Sequence, residues 1–323
     1  MSRAIRVDHV GDPGVMTFVE ETVGAPGPGQ VALRQTAIGV NFVDTYQRSG
    51  LYPVTTPFVA GNEGAGVITA LGEGVTGFKI GDRVAYQGQI GAYVTERLAA
   101  AERMVPIPDA IDDRTAAAIL LKGLTAYYLL FQTWQLAAGE TILWHAAAGG
   151  TGLIATQWAK ALGATVIGTA GSEDKTALAK AHGCDHVINY NKEDFAARVR
   201  ELTGGKGVDV VYDGVGKATF DKSLDCLRPR GLLVSFGNAS GVVAIPDITV
   251  LSRKGSLYVT RPTGTHYLGQ RPALLDGARL LFDAVASGAI KVQVNHTFPL
   301  AEAAEAHRAL EGRQTTGSVL LIP

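Results

Sequence analysis

"HAAAGGTGLIATQWAKALGATVIGTAG" spans residues 145–171 and is the stretch that decides the fold. Small residues fill positions 146–152, and an apolar segment with helical spacing follows them as far as Gly163. Strand-like apolar runs lie on both sides of the turn and helix, at 141–144 and 164–170. A strand, a tight turn of small residues and a helix in this order are the setting that a dinucleotide-binding motif requires.

The small residues match the spacing G-x-G-x-x-G, with alanine in the first position. The three positions fall on Ala147, Gly149 and Gly152. In such motifs they allow the tight turn, the approach of the backbone to a pyrophosphate, and the contact of the helix with the strand. The helix N-terminus then presents free N–H groups to an anion. We predict a dinucleotide site here; the alternative is a strand–helix turn that serves packing alone.

The residues after the second strand decide between the two pyridine dinucleotides. A site for NADH has a carboxylate there for the ribose 2′-hydroxyl, but the strand ends on Ala170 or Gly171. Ser172 and Lys175 follow, and they suit a 2′-phosphate. NADPH is therefore the predicted cofactor. Two alternatives stay open: Ser172 caps a helix while Lys175 is a solvated charge, or the acidic pair 173–174 offsets the lysine or binds a 2′-hydroxyl.

The pattern along the chain predicts two domains. Strand-like and helix-like segments, including a helix over 218–231, alternate from 141 to about 260. This alternation predicts an α/β fold with a doubly wound parallel sheet. Residues 1–108 instead combine short β-rich runs with Gly, Pro and Asp turns, which predicts a mostly-β domain. The apolar segment 114–136 predicts packed helices broken near Gly123, a candidate hinge.

Composition disfavours several classes of partner. The 323 residues are 46% hydrophobic and 18% charged, with a formal net charge of -1, so no basic surplus is available for nucleic acid. We find neither a signal-like segment nor an apolar run of about 20 residues that could span a membrane. Two cysteines, Cys184 and Cys226, are too few for a disulfide framework. We expect a cytoplasmic protein that acts on a small molecule, without nucleic-acid or membrane partners.

Several further segments carry a resemblance to a known family. They are "AIGVNFVDTYQRSGLYP" (37–53), "GNEGAGVITALGEGVTGFKIGDRVAY" (61–86), "VVYDGVG" (210–216) and "VSFGNASG" (234–241). Together with the opening stretch they resemble the NADPH:quinone oxidoreductases, the zinc-free branch of the medium-chain dehydrogenase/reductase superfamily that includes ζ-crystallin. The resemblance implies a GroES-like catalytic domain (1–122 and 261–323), a Rossmann domain (123–260) with the cofactor in the cleft between them, and a homodimer formed through an edge strand, here "GSLYVT" (255–260).

The resemblance also implies which residues form the site. It implies a nicotinamide end lined by Asn41, Phe42, Asp44, Tyr46 and Tyr128, a pyrophosphate held at Gly150 and Thr151, a 2′-phosphate surrounded by Ser172, Lys175, Tyr190 and Arg313, and a nicotinamide ribose flanked by Phe236, Gly237 and Asn238.

Two asparagines stand where zinc-dependent relatives of this family carry metal ligands. By the resemblance, Asn41 takes the place of a cysteine, and Asn62 in "GNE" takes that of a histidine. The seven histidines are scattered without ligand spacing, so a four-ligand set is missing and we expect no bound metal. His145, at the end of a core strand, is interpreted as a structural residue.

Without a metal, a hydride goes to an electron-poor acceptor whose negative charge spreads over a conjugated system. The protein then supplies orientation and a hydrogen-bond donor near the developing charge. Tyr52 and Tyr46 are the candidate donors, and Asn41 is the candidate orienting residue; alternatively, the two tyrosines only line the cleft. The leading hypothesis is NADPH-dependent quinone reduction. The alternatives are reduction of α,β-unsaturated carbonyls or enoyl thioesters, and an NADPH-binding structural or RNA-binding crystallin-like role.

Overall fold

A computed structural model describes residues 2–323 of the chain. The chain divides into two compact units. The first unit contains the residues up to Leu124, with Leu268–Ala286 and Val292–Pro323. The second unit contains Thr125–Tyr267 and Ser287–Lys291.

The strands and helices follow one another along the chain with short connections. The strands are β1 (Ser2–Val7), β2 (Met16–Glu21), β3 (Gln30–Val40), β4 (Phe58–Val59), β5 (Glu63–Leu71), β6 (Arg83–Gln87), β7 (Glu96–Ala100), β8 (Val105–Pro106), β9 (Thr141–Trp144), β10 (Thr165–Ala170), β11 (His186–Asn189), β12 (Val208–Asp213), β13 (Leu227–Ser235), β14 (Tyr258–Thr260), β15 (Val294–Pro299) and β16 (Ser318–Ile322). The helices are α1 (Phe42–Ser49), α2 (Asp113–Tyr128), α3 (Gly150–Ala161), α4 (Glu173–Ala181), α5 (Phe195–Leu202), α6 (Phe220–Asp225), α7 (Thr249–Arg253), α8 (Gly264–Leu268), α9 (Arg271–Ala286) and α10 (Ala303–Glu311).

The first unit is built on β-sheets, as its turn-rich sequence predicts. One sheet has the order β15-β16-β3-β5-β6-β8 with β7 paired to β3, and a three-stranded sheet has the order β2-β1-β4. In β3, Val31, Leu33 and Gln35 are buried and alternate with more exposed positions, the period of two expected of a strand. The buried side chains of these sheets form one core with residues of α10, such as Ala303 and Ala306.

The second unit contains the predicted parallel sheet. The strand order is β11-β10-β9-β12-β13-β14, and every pair of neighbours is parallel. This is the 3-2-1-4-5-6 order of a dinucleotide-binding sheet. Strand β10 is buried over most of its length, which is typical of a parallel sheet covered on both faces. The predicted doubly wound α/β fold is therefore confirmed.

Gly123 does not break a helix, contrary to the sequence prediction. Helix α2 continues through Gly123 to Tyr128, and a single π-helical turn at Leu129–Thr133 follows. A Cβ at Gly123 would come within 2.4 Å of Leu281 Cδ1 on α9. Glycine at this position therefore makes room for the Leu281 side chain between two helices of the first unit, and it does not change the chain direction.

The predicted helix over 218–231 also needs correction. It ends at Asp225, and β13 already begins at Leu227, with Arg230 in the left-handed region (φ 60°). Pro229 has no N–H for a helical hydrogen bond, so the helix does not extend over it.

One helical segment among the described residues is long and apolar enough to cross a membrane by length and composition alone. It is Asp113–Thr133, with a mean hydropathy of 1.2. Its most apolar stretch is 72% buried inside the protein, as in a core helix.

Candidate active site

The start of α3 packs closely against the backbone of the turn that follows strand β9. A Cβ at Gly152 would come within 2.5 Å of the carbonyl oxygen of Ala146, whereas a Cβ at Gly149 would lie 3.3 Å from the same atom. Gly149 is the N-cap in extended backbone and supplies no side-chain cap to the first turn of α3, which begins with Gly150 and Thr151. The helix start therefore offers uncapped backbone N–H groups, a cradle that fits the pyrophosphate of a dinucleotide.

The loop at the end of β10 brings together the residues predicted to bind the 2′-phosphate in the second unit. A Cβ at Gly171 would come within 2.4 Å of the Tyr190 hydroxyl oxygen, so these two residues are in close contact. Ser172 Oγ accepts a hydrogen bond from the Lys175 N–H (3.3 Å) and thus caps α4, one of the alternatives left open above. Lys175 lies half-buried in the first turn of that helix.

The acidic residue next to this loop is already paired. The carboxylate of Glu173 accepts a hydrogen bond from Asn189 Nδ2 (2.9 Å) and forms an ion pair with Lys192 Nζ (2.8 Å). The lysine and the asparagine lower the pKa of this carboxyl. Glu173 therefore has partners other than a ribose hydroxyl, which favours the site for NADPH over the alternative for NADH.

The loops after β12 and β13 also approach each other closely. A Cβ at Gly237 would come within 2.3 Å of the Gly214 carbonyl oxygen. The ring of Phe236 lies 5.4 Å from that of Trp144, and Asn238 is buried. The sequence predicted Phe236, Gly237 and Asn238 to flank the nicotinamide ribose, and the structure places them together on one loop of the second unit.

An aromatic pair in the second unit includes a residue that the sequence did not indicate. The rings of Tyr128 and Tyr267 are stacked, with centroids 4.8 Å apart and planes inclined by 13°. Tyr128 was predicted for the nicotinamide end, whereas Tyr267 was not. Tyr267 lies in the short helix α8, about 140 residues after Tyr128, and nothing in the sequence beyond its aromatic side chain indicated this contact.

Helix α1 positions the candidate residues of the first unit. Its N-cap is Asn41, whose N–H donates to Asp44 Oδ2 (2.8 Å), and it ends at Gly50 in the left-handed region (φ 84°). One turn later along α1, the ring of Tyr46 contacts the ring of Tyr52 edge-on, with centroids 5.1 Å apart. Phe42 lies 6.1 Å from Tyr46. The five predicted side chains in this segment therefore share one element and the loop after it.

A buried ion pair that the sequence analysis missed orients Asn41. Glu63 is completely buried, and its Oε2 accepts hydrogen bonds from Asn41 Nδ2 (2.9 Å) and Lys122 Nζ (3.0 Å). Its Oε1 accepts from the Leu121 N–H (2.6 Å). A Cβ at Gly39 would come within 2.2 Å of Glu63 Oε2, so the neighbouring strand needs glycine. The motif "GNE" contains this glutamate, but the lysine lies 59 residues further along the chain.

Asp44 is the centre of a second buried network. It accepts hydrogen bonds from Asn62 Nδ2 (2.7 Å) and from the Tyr93 hydroxyl (2.9 Å), and the Tyr93 oxygen lies 3.0 Å from His307 Nε2. Burial raises the pKa of Asp44 to about 6, although Asn62, Asn41, Tyr93 and Lys122 each lower it. Burial, with the positive charge of Arg48, lowers the pKa of His307 to about 3.

The residues of the first unit do not fit a zinc site. The side-chain nitrogens of Asn41 and Asn62 donate to Glu63 and Asp44, so both amides are engaged with carboxylates. Within residues 2–323, no three His, Cys, Asp or Glu side chains are grouped so that they could hold a metal ion. We therefore derive no step through a metal.

His145 has partners at both ring nitrogens, which confirms its interpretation as a structural residue. Nδ1 lies 3.0 Å from Thr169 Oγ1, and Nε2 lies 2.9 Å from Ser223 Oγ. Burial lowers the pKa of this imidazole, so the neutral form is favoured.

Arg313, predicted to contact the 2′-phosphate, lies in the turn after α10 of the first unit, with its backbone in the left-handed region (φ 57°). Its role stays a prediction.

Comparisons with known proteins agree with this geometry. Residues 27–139 match the alcohol dehydrogenase GroES-like domain, and residues 150–267 match the zinc-binding dehydrogenase family. The chain is 52% identical to quinone oxidoreductase from Pseudomonas aeruginosa over 325 residues, covering 100% of both chains. It is 50% identical to 2-haloacrylate reductase from a Burkholderia species, covering 100% of this chain and 99% of that protein.

A solved structure extends the likeness to three dimensions. The crystal structure of Escherichia coli quinone oxidoreductase complexed with NADPH matches with a TM-score of 0.98 at 48% identity, over 100% of both chains. This match and the GroES-like assignment confirm the fold class predicted for the first unit. The chain belongs to the quinone oxidoreductase family.

Proposed function

We propose that the chain reduces quinones with NADPH. The observation that carries this proposal is the turn before α3, where Gly152 allows the helix start to pack against the turn backbone and the first-turn N–H groups have no side-chain cap. Relatives that are 52% and 48% identical over the full length are quinone oxidoreductases, and the structure of the latter was solved with NADPH.

When bound, NADPH supplies a hydride. The residues proposed to hold its phosphates are Gly149, Gly150, Thr151, Gly152, Gly171, Ser172, Lys175, Tyr190 and Arg313, and those proposed for the nicotinamide and its ribose are Asn41, Phe42, Asp44, Tyr46, Tyr128, Phe236, Gly237 and Asn238. The cradle at α3, the half-buried Lys175 and the close contact between Gly171 and Tyr190 support the first group.

The chain itself must orient the acceptor and supply a proton. We assign proton donation to the Tyr52 hydroxyl, which is half-buried and held beside Tyr46 by the ring contact and by a hydrogen bond from the Tyr52 N–H to the Tyr46 carbonyl (3.0 Å). Tyr46 is buried and is the second candidate. Asn41 orients the nicotinamide or the acceptor through an amide that Glu63 holds in one position. A phenol near the developing charge assists the reaction by general acid catalysis.

A second function is favoured by one comparison. The 50% identity to a 2-haloacrylate reductase supports reduction of α,β-unsaturated carbonyl compounds as the alternative. Oxidation of NADPH should be followed with a panel of quinones, alkenals, unsaturated acids and enoyl thioesters. We expect the highest kcat/KM with a quinone; a clear preference for an unsaturated acid or thioester would reject our first choice. Absence of turnover with every acceptor would instead support the structural or RNA-binding alternative.

The choice of NADPH over NADH is tested by Lys175→Ala. We expect NADPH binding to weaken by about 1.5–3 kcal/mol and NADH binding to change little, because only NADPH carries a 2′-phosphate for the ammonium group to contact. Isothermal titration calorimetry with both dinucleotides measures the difference. Lys180→Ala, near the end of the same helix, is the matched control. An equal loss for both dinucleotides would refute the contact with the 2′-phosphate.

The remaining proposals concern the domain bounds and the assembly of the protein. We propose that residues 1–122 and 261–323 form the catalytic domain and that 123–260 form the dinucleotide domain. The two compact units differ from these bounds at 123–124, 261–267 and 287–291. We also propose a cytoplasmic homodimer formed through β14, an edge strand on which Tyr258 is 58% exposed. Sedimentation should give the mass of two chains, and Tyr258→Arg should give that of one. A monomeric wild-type protein would reject the dimer.

A further inference from the structure

We propose that His145, Thr169, Ser223 and Asp213 form a chain of hydrogen bonds that fixes the geometry of the proposed pyrophosphate and 2′-phosphate loops. The same hydrogen bonds fix the loop after β12, which packs against the proposed nicotinamide-ribose loop. This inference rests on the proposed binding of NADPH. It concerns side chains to which the proposed function assigns no role.

The four side chains form one continuous chain of hydrogen bonds inside the second unit. Thr169 Oγ1 lies 3.0 Å from His145 Nδ1, His145 Nε2 lies 2.9 Å from Ser223 Oγ, and Ser223 Oγ lies 3.2 Å from Asp213 Oδ2. All four residues are at most 2% exposed. In a buried environment an unpaired polar atom is destabilising, so each hydrogen bond constrains the side chains that it joins.

At its Asp213 end, this chain of hydrogen bonds reaches backbone N–H groups as well as a side chain. Asp213 Oδ1 accepts hydrogen bonds from the N–H groups of Val215 (2.8 Å) and Gly216 (3.0 Å). The other carboxylate oxygen also accepts from Thr219 Oγ1 (2.7 Å). One carboxylate therefore fixes both the loop that follows β12 and the start of α6.

The position of each member explains why the chain matters for a dinucleotide. His145 directly follows β9 and precedes the glycine turn 146–152, while Thr169 is the penultimate residue of β10, before the loop 170–172. Asp213 is the last residue of β12 and precedes the loop 214–216. These are the carboxyl ends of three parallel strands, where such sheets bind ligands. The hydrogen bonds therefore tie the loops proposed for the pyrophosphate and the 2′-phosphate to one buried imidazole. They also tie to it the loop after β12, whose Gly214 packs against Gly237 of the loop proposed for the nicotinamide ribose.

If Ser223 donates its hydroxyl hydrogen to Asp213, only one assignment of donors and acceptors fits the other two hydrogen bonds. The Ser223 oxygen then accepts from His145 Nε2–H, and the unprotonated Nδ1 accepts from the Thr169 hydroxyl. Ser223 Oγ also lies 2.8 Å from the Thr219 carbonyl, which is another acceptor for the same hydrogen and leaves this assignment unchanged. The proposal thus includes a neutral His145 in the Nε2–H tautomer.

The test removes single links of the hydrogen-bond chain at residues to which the proposed function assigns no contact with NADPH. Ser223→Ala and Thr169→Val each delete one hydroxyl on either side of His145, and the dissociation constants for NADPH are measured by calorimetry. Thr203→Val is the matched control, because Thr203 is a threonine of the same unit whose Oγ1 bonds the Val199 carbonyl and the Gly207 N–H, away from the three loops. Melting temperatures without cofactor are recorded for all variants.

We expect the Ser223→Ala and Thr169→Val variants to bind NADPH about tenfold more weakly, while Thr203→Val, which also loses a hydrogen-bonded hydroxyl, binds it like the wild type. In ¹⁵N spectra of the wild type, the His145 ring should give the pattern of the Nε2–H tautomer. Wild-type affinity in both chain variants, a loss of affinity in Thr203→Val that equals theirs, or an Nδ1–H tautomer would each overturn the inference. Failure of the wild type itself to bind NADPH would reject the proposed function instead.

Discussion

The buried pair Asp44 and His307 should give opposite contributions to the pH dependence of stability. Burial raises the pKa of Asp44 from 3.8 to about 6. The folded protein therefore binds a proton more tightly than the unfolded chain, and the stability from this group is present below about pH 4 and is lost as pH rises through 6. For His307 the pKa is lowered from 6.5 to about 3, so its contribution is full above 6.5 and is lost as pH falls toward 3.

The magnitudes follow from proton linkage. Between pH 4.5 and 7.5 the Asp44 contribution should fall by about 2 kcal/mol, and the His307 contribution should rise by about 3 kcal/mol. In the wild-type protein these changes largely cancel. The charged and titratable groups around the pair, namely Lys122, Glu63, Arg48 and Tyr93, remain in every variant and so drop out of the comparison.

The experiment compares free energies of unfolding in urea for the wild type, Asp44→Asn and His307→Gln at several pH values in this range. Relative to the wild type, Asp44→Asn should gain about 2 kcal/mol as pH rises from 4.5 to 7.5, and His307→Gln should lose about 3 kcal/mol. Asp276→Asn, which removes an exposed carboxylate of the same unit, should run parallel to the wild type. Parallel curves for all four proteins would refute the assignment of perturbed pKa values to the pair.

Three further substitutions test the site. Glu63→Gln should lower the free energy of unfolding by about 3–5 kcal/mol, because Lys122 loses its buried carboxylate. Asp82→Asn, which breaks an exposed ion pair with Lys79, should cost much less in the same urea titration, and equal costs would contradict this expectation. Gly152→Ala should destabilise the fold by about 1–3 kcal/mol and weaken NADPH binding, because the added methyl group meets a backbone carbonyl. A wild-type melting temperature and wild-type NADPH affinity would show that the turn can relax around the methyl group. Tyr52→Phe should lower kcat and leave the NADPH dissociation constant unchanged, and an unchanged kcat would leave Tyr52 as a lining residue only.

The local part of this protein could be predicted from its sequence. The dinucleotide turn lies within a few consecutive residues, and its chemistry depends on glycines at fixed spacing, so Gly149 and Gly152 indicate both the fold and the ligand. The six strands of the parallel sheet could likewise be recognised as apolar runs between helical segments. Gly123 shows the limit of such patterns, because a glycine in an apolar segment can either break a helix or make room for a neighbouring side chain. Only the position of Leu281 in the structure decides between the two.

What the tertiary structure alone decided is which buried polar groups meet. Glu63 and Lys122 are 59 residues apart, His145 and Ser223 are 78 apart, and Tyr93 and His307 are 214 apart. Periodicity along the chain carries no information about such pairs, since a buried charge or imidazole is tolerated only when distant segments bring its partners to it. The sequence by itself determined the cofactor-binding turn and the sheet around it; folding determined the pKa values of Asp44 and His307 and the hydrogen bonds that hold Asn41 and His145.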